Sequence, residues 1–171
     1  FDFQRAVEKL SERTPARIHS PKRAAVAALV RGAGNETEVL LMRRPIHERD
    51  RWSGQVCLPG GKAEDIDVDS VATARRETHE ELGVALHECS DYVGALDDVQ
   101  AMAKGRPLST VITPHVFAQV REPKIILSVE AEHAFWLPLG RAASGELDSE
   151  YEYGFGTSKI YLPCWRYQEE V

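Results

Sequence analysis

Apolar side chains recur along the chain with two different periods, and those periods divide it into elements. Phe3, Ala6, Val7 and Leu10 return at helical spacing between charged residues, which predicts a short amphipathic helix over 2–13, ended by Pro15. Residues 24–31 and 38–43 are runs rich in Val, Leu and Ala joined by Gly32, Ala33, Gly34 and Asn35, the composition of a β-hairpin. A brief extended stretch over 55–58 runs into Pro59, Gly60 and Gly61, where a strand is expected to stop. Residues 70–82 form the clearest helix, with Gly83 where a left-handed C-terminal cap belongs. Farther on, 92–96, 109–120, 134–139 and 159–167 are β-branched, aromatic or alternating, and Pro114, Pro138 and Pro163 interrupt the last three, predicting edges or bulges.

These elements predict one α/β domain over 1–171, with helices packed on a mixed, irregular central sheet. Neither end, Phe1 or Val171, is taken as a natural terminus, and the C-terminus is a candidate for truncation. The hydrophobic share of 43% and charged share of 28% are those of an ordinary globular protein. Apolar runs such as 24–30 are far too short to span a membrane. Cys57, Cys89 and Cys164 are odd in number and widely spaced, which argues for a reducing compartment, the cytoplasm. A net charge of -6 argues against a broad nucleic-acid surface but leaves room for a small anionic ligand held by local cations or a metal.

The chemistry concentrates on the helix over 70–82. At about 100° per residue, Glu77, Glu80 and Glu81 share one face, while Val71, Ala74, Thr78 and Leu82 form another that is expected to be buried. Adjacent carboxylates repel one another unless a cation compensates, and hard oxygen ligands suit Mg²⁺ or Mn²⁺. An isolated E-x-x-E-E is most often solvated helix surface. The neighbouring residues alter that balance.

Gly61, Arg76, Glu77, Glu80, Glu81, Gly83 and Val84 follow the pattern G-x5-E-x7-R-E-U-x-E-E-x-G-U, where U is bulky and apolar, so the segment resembles the Nudix box. Asp67 replaces the first glutamate, the interval to Arg76 is one residue longer, and Thr78 stands at an apolar position. With Pro59, Gly60, Thr73 and Ala74, this longer spacing looks like the coenzyme A pyrophosphatase branch of that family. Leu40, Leu41, Arg44, Arg51, Gly54 and Leu58 match part of that branch's upstream pattern, with Asp50 where an arginine is usual and Leu58 in place of phenylalanine.

The resemblance implies a Nudix-like α/β/α sandwich with a mixed central β-sheet, and hydrolysis of a pyrophosphate bond in a nucleoside diphosphate joined to another moiety. Coenzyme A is the first candidate, split into 4'-phosphopantetheine and adenosine 3',5'-bisphosphate. It also implies Mg²⁺ or Mn²⁺ held by Glu77, Glu80, Glu81 and the Gly61 carbonyl, with Glu77, Glu80 and Arg76 as the catalytic group. Arg76 is expected to orient an acidic side chain through a bidentate bond. The general base is Glu77 or an acid from another loop, with Glu130, Glu132, Asp97 and Asp98 as candidates. Arg43, Arg44, Arg51 and Lys62 are candidate phosphate contacts, although any one of them is more often solvated loop charge. Alternatives are an ADP-ribose, nucleotide-sugar or dinucleotide polyphosphate hydrolase, a non-catalytic nucleotide sensor, and, with least support, an RNA-end processor. A homodimer is a candidate assembly.

Overall fold

The computed structural model describes residues 3–48, 52–103, 106–155 and 158–168. The chain opens with helix α1 (Phe3–Ser11), shorter than the periodicity predicts; Asp2 lies outside the described residues. Strands β1 (Lys22–Arg31) and β2 (Glu38–Arg43) pair antiparallel, with Val30 opposite Val39, as the hairpin pattern predicts. A 3₁₀ turn over Gly34–Glu36 fills the connection.

The two-residue strand β3 (Val56–Cys57) stops before Pro59 as predicted, but the chain becomes extended again at once within the Gly60-Gly61 segment. It continues as strand β4 (Gly60–Lys62), antiparallel to β1 with Val26 opposite Gly60 and Ala25 opposite Gly61. The reason is steric. A Cβ on Gly60 would stand 2.3 Å from the Ala25 carbonyl oxygen, and Gly60 has φ +150°, so only glycine brings the backbone this close.

Helix α2 (Ser70–Leu82) follows the predicted bounds. The Asp69 carboxylate accepts a hydrogen bond from the Ala72 N–H at 2.7 Å, and Gly83 takes φ 66° as its N–H donates to the His79 carbonyl at 2.8 Å. A short helix α3 (Leu86–Cys89) leads to β5 (Ser90–Ala95), β6 (Val99–Ala103) and the long β7 (Arg106–Gln119). Strand β8 (His133–Pro138) passes into α4 (Leu139–Ala143), and β9 (Asp148–Phe155) and β10 (Ser158–Trp165) make a separate hairpin. The patterning did not single out β6 and β9.

Among the described residues the main sheet has eight strands, with β3-β2-β1-β7-β5 in spatial order, β4 added to β1, β6 to β7 and β8 to β2. The β1–β7 pair is parallel and the others antiparallel, so the sheet is mixed. Pro114 is not at an edge: it lies opposite Val26 in the middle of the sheet. It sits where β7 changes antiparallel partner from β5 to β6, and its carbonyl accepts from the Leu96 N–H at 2.9 Å, so the break in the ladder absorbs the missing donor.

Alternation along the strands builds two cores. Ala25, Ala27, Leu29 and Phe117 face α2, packing with Ala74, Leu82 and Leu86. Ala28, Val30, Val39, Val116 and Leu137 face the other way, toward Leu10 of α1. That second face also holds an apolar cavity of about 600 Å³ bordered by Val7, Leu10, Leu58, Val116, Leu137 and Trp165. No helix of the described residues is long and apolar enough to cross a membrane.

Candidate active site

The acidic residues of α2 do not share one environment. Ser70, Ala74, Glu77 and Glu81 fall at intervals of four, three and four, so they form one stripe toward the sheet. Glu81 is 2% exposed, and its Oε2 accepts from the Gly60 N–H at 2.8 Å. Arg44 approaches its other oxygen only to 4.0 Å. Burial pushes the Glu81 carboxyl up to about 7; the Gly60 bond draws it down and the charge of Glu77 adds to the rise.

Glu77 lies against Gly61. A Cβ there would stand 2.4 Å from the Glu77 carboxyl carbon, so the glycine is a cradle for this carboxylate. Burial raises Glu77 as well, against the pull of Arg76. Glu80, by contrast, points outward. Its side chain is 54% exposed and accepts from Arg76 Nη1 at 2.9 Å. The three carboxylates expected to converge are therefore an inner pair and an outer one, because a helix turns about 100° per residue and Glu80 falls off the sheet-facing stripe.

Arg76 makes the bidentate bond expected of it, and the partner is Asp67: Nε to Oδ1 and Nη2 to Oδ2, each at 3.0 Å. Its Nη1 reaches Glu77 at 3.1 Å, and Nη2 also donates to the Lys62 carbonyl at 2.9 Å. The Arg76 bonds first, then the Glu64 N–H and Thr73 hydroxyl, hold the Asp67 carboxyl down to about 2 against its burial. This one guanidinium ties β4, the loop over 63–69 and α2 together. The shorter aspartate and the longer loop thus meet at a closed clamp.

The loop after β7 completes the surroundings. The Ile126 N–H donates to the Leu82 carbonyl at 2.8 Å and the Ser128 N–H to that of Glu81 at 2.9 Å, satisfying carbonyls that a helix end leaves open. That docking brings Glu130 close enough to raise both Glu77 and Glu81 electrostatically. Glu132 is turned to Arg43, whose Nε stands 3.6 Å from its Oε2. Lys62 is exposed beside Gly61, and Arg51 lies outside the described residues.

Asp97 and Asp98 are elsewhere engaged. Asp98 accepts from Arg17 at 2.9 Å, Arg23 at 2.9 Å, Thr113 at 2.8 Å and the Ile18 N–H at 3.0 Å; Asp97 binds the Ala16 N–H and Arg13. They tether the segment before β1, which removes them as candidates for the general base. The patterning missed the docking of the 120–132 loop on α2, since backbone bonds between distant segments leave no trace in periodicity.

The carboxylates of Glu77 and Glu81, both raised by burial and set against Gly61 and Gly60, are hard oxygen donors of the kind a divalent cation takes. Among the described residues no group of three or more His, Cys, Asp and Glu side chains is drawn together closely enough to hold a metal ion.

The NUDIX domain profile matches residues 21–154, the stretch that contains β1, the clamp and α2. The chain belongs to the NUDIX domain family. It is 34% identical over 129 residues to the peroxisomal coenzyme A diphosphatase ndx-8 of Caenorhabditis elegans, covering 74% of this chain and 53% of that protein. It is 31% identical over 105 residues to the Nudix hydrolase NudL of Escherichia coli (strain K12), covering 60% and 54%. The chain thus spans about half the length of these curated relatives. In fold it is similar to a bifunctional NMN adenylyltransferase/ADP ribose pyrophosphatase of Francisella tularensis, complexed with AMP and a manganese ion (TM-score 0.52, 19% identity, covering 84% of this chain and 41% of that one).

Proposed function

We propose that this Nudix domain hydrolyses the pyrophosphate bond of a nucleoside diphosphate derivative with Mg²⁺ or Mn²⁺, and that coenzyme A or a derivative is its substrate. The observation that carries this reading is the buried Glu81 beside Glu77, with Gly60 and Gly61 fitted against them. Two like carboxylates in a low-dielectric site are costly unless a cation joins them. Coenzyme A is favoured over ADP-ribose or a nucleotide sugar by the longer box around Asp67 and by the worm relative's name.

Glu77, Glu81 and the Gly61 carbonyl would hold the cation, with Glu80 as an outer ligand once it leaves Arg76. When bound, a divalent ion supplies positive charge to the diphosphate and lowers the pKa of an attacking water. Arg76 orients Glu77 and Glu80 while the Asp67 clamp keeps it from substrate. Glu130 is the leading candidate for accepting the water's proton, since its loop is docked on the helix end. Lys62, with Arg44 and Arg51, would meet phosphate oxygens. A reducing cytoplasm suits the three free cysteines.

The test is product analysis after incubation with Mg²⁺ or Mn²⁺ and a panel of coenzyme A, ADP-ribose, nucleotide sugars and diadenosine polyphosphates, beside the Glu81→Gln variant. Metal-dependent cleavage of coenzyme A, lost in the variant, supports the reading. Cleavage of a different compound moves the substrate, and binding without turnover makes the domain a nucleotide sensor.

A further inference from the structure

The side of α2 that faces the sheet is bonded to it through Glu81 near one end and, at the other, through a buried imidazole of the sheet. His115 of β7 lies next to Phe117 on the α2 side, opposite Ala27, and is 2% exposed. Both ring nitrogens have partners: Nε2 lies 3.0 Å from the Ser70 hydroxyl and Nδ1 3.1 Å from the Tyr92 hydroxyl. A buried ring with both nitrogens bonded loses little, whereas a leucine of similar volume would fill the same space without holding anything. Burial is the main reason the imidazole is held down to about 4, with Arg17 and Arg75 nearby adding to the effect and Asp69 and Asp98 opposing it. His115 is therefore neutral at ordinary pH, with one ring nitrogen donating and the other accepting.

Ser70 is the first residue of the stripe that ends in Glu77 and Glu81. The stripe is tied to the sheet at both ends, by Ser70 to His115 on β7 and by Glu81 to Gly60 on β4. The tie points are eleven residues apart, roughly 16 Å along the helix, and two strands apart across the sheet, roughly 10 Å. Between them Ala74 is fully buried against β1 and acts as the pivot. Ala74 is a single point of contact and leaves the tilt of the helix about it open; a second fixed point sets the axis, and the Ser70–His115 bond supplies one that lies outside the acidic end of the helix.

We infer that His115 is a positioning residue for the acidic face of α2: by holding Ser70 it sets the angle of the helix over the sheet, and so the placement of Glu77 and Glu81 over Gly61 and Gly60. This rests on the proposed hydrolytic role of that face. The Gly60 amide, which donates to Glu81, provides a reading of helix placement that does not depend on that role.

The experiment compares His115→Leu, His115→Gln and Ser70→Ala with the unaltered chain by three readouts: Mn²⁺ affinity from the free-ion spin resonance signal, kcat and KM on the cleaved diphosphate, and exchange of the Gly60 amide. His115→Leu and Ser70→Ala are expected to weaken Mn²⁺ binding by roughly tenfold and to lower kcat similarly with KM almost unchanged, the size seen when groups that orient ligands are lost. The Gly60 amide exchanges faster in both. In His115→Gln the side-chain amide reaches the place of Nε2, keeps the Ser70 bond and restores all three. A folded His115→Leu with unaltered Mn²⁺ affinity and Gly60 protection overturns the inference; if that variant does not fold, the same result in Ser70→Ala does so. If the unaltered chain neither binds Mn²⁺ nor cleaves a diphosphate, the hydrolytic reading fails, and Gly60 exchange still decides the positioning role.

Discussion

Two buried carboxylates of this molecule have opposite fates. Asp98 is surrounded by two arginines, a threonine hydroxyl and a backbone N–H, all within 3.0 Å. Burial pushes its carboxyl up, but the Ile18, Arg23, Thr113 and Arg17 bonds outweigh that and hold it well below the usual carboxylate range. Glu81 is as deeply buried, has one backbone N–H at 2.8 Å and a distant arginine, and faces a second acid. Burial therefore prevails and its carboxyl rises to about 7. Asp98 has its countercharge built into the fold; Glu81 has been left short of one. That deficit is what the proposed cation would make good, and it sets Glu81 apart from the structural clasp at Asp98.

The sharpest way to break this contrast is to neutralise each acid. Glu81→Gln is expected to lower kcat by about a thousandfold or more, because in the proposed reaction its charge holds the cation. Asp98→Asn should lower it by less than about fivefold. Equal losses in the two variants would mean that Asp98 also serves the reaction.

Stability should move in the reverse sense. A carboxyl raised in the fold favours folding fully below about pH 4.5, and that contribution is lost as pH rises through about 7. Without metal, Glu81→Gln should therefore be more stable than the unaltered chain by about 2 to 3 kcal/mol at pH 8, and this advantage should vanish near pH 4 in urea titrations. Asp98 has the opposite sign: its contribution is complete above the usual carboxylate range and is lost only in strong acid. Asp98→Asn should cost about 2 kcal/mol at neutral pH, held to that by solvent screening of its partly exposed arginines. A Glu81→Gln protein that is less stable at pH 8 would show that the site already has its countercharge.

Mg²⁺ sharpens the comparison further. At about a hundredfold excess over its Kd it should stabilise the unaltered chain by about 2.7 kcal/mol in thermal unfolding. Glu81→Gln should lose most of that gain and Asp98→Asn should keep it. The smallest effect is expected at Glu80, whose half-exposed pair with Arg76 is worth under about 0.5 kcal/mol; Glu80→Gln should leave metal-free unfolding almost unmoved. A large shift there would bring the outer acid into the inner set.

Much of this architecture is legible in periodicity, since helix α2, its Gly83 cap and the β1–β2 hairpin are local features that propensity and turn chemistry encode. Strand β4 was not legible, because a Pro-Gly-Gly segment reads as a turn until the partner strand and helix that require glycine there are in place. The short β6 and the late hairpin strand β9 carry too weak an alternation to be told from loops. At the site, the sequence alone is enough to pick out the box residues and the arginine that grips an acid. It places Glu77, Glu80 and Glu81 on one face of a helix, and it cannot say which of them is buried.

That division follows from the physics of each property. Helical phase, capping and motif spacing depend on residues within a few turns of one another, so the linear sequence determines them. Burial, the resulting rise of the Glu81 carboxyl, the closing of the Asp98 clasp and the reach of His115 to Ser70 each depend on groups brought together from distant strands. Desolvation is set by everything that surrounds a charge, and only the tertiary structure supplies those surroundings.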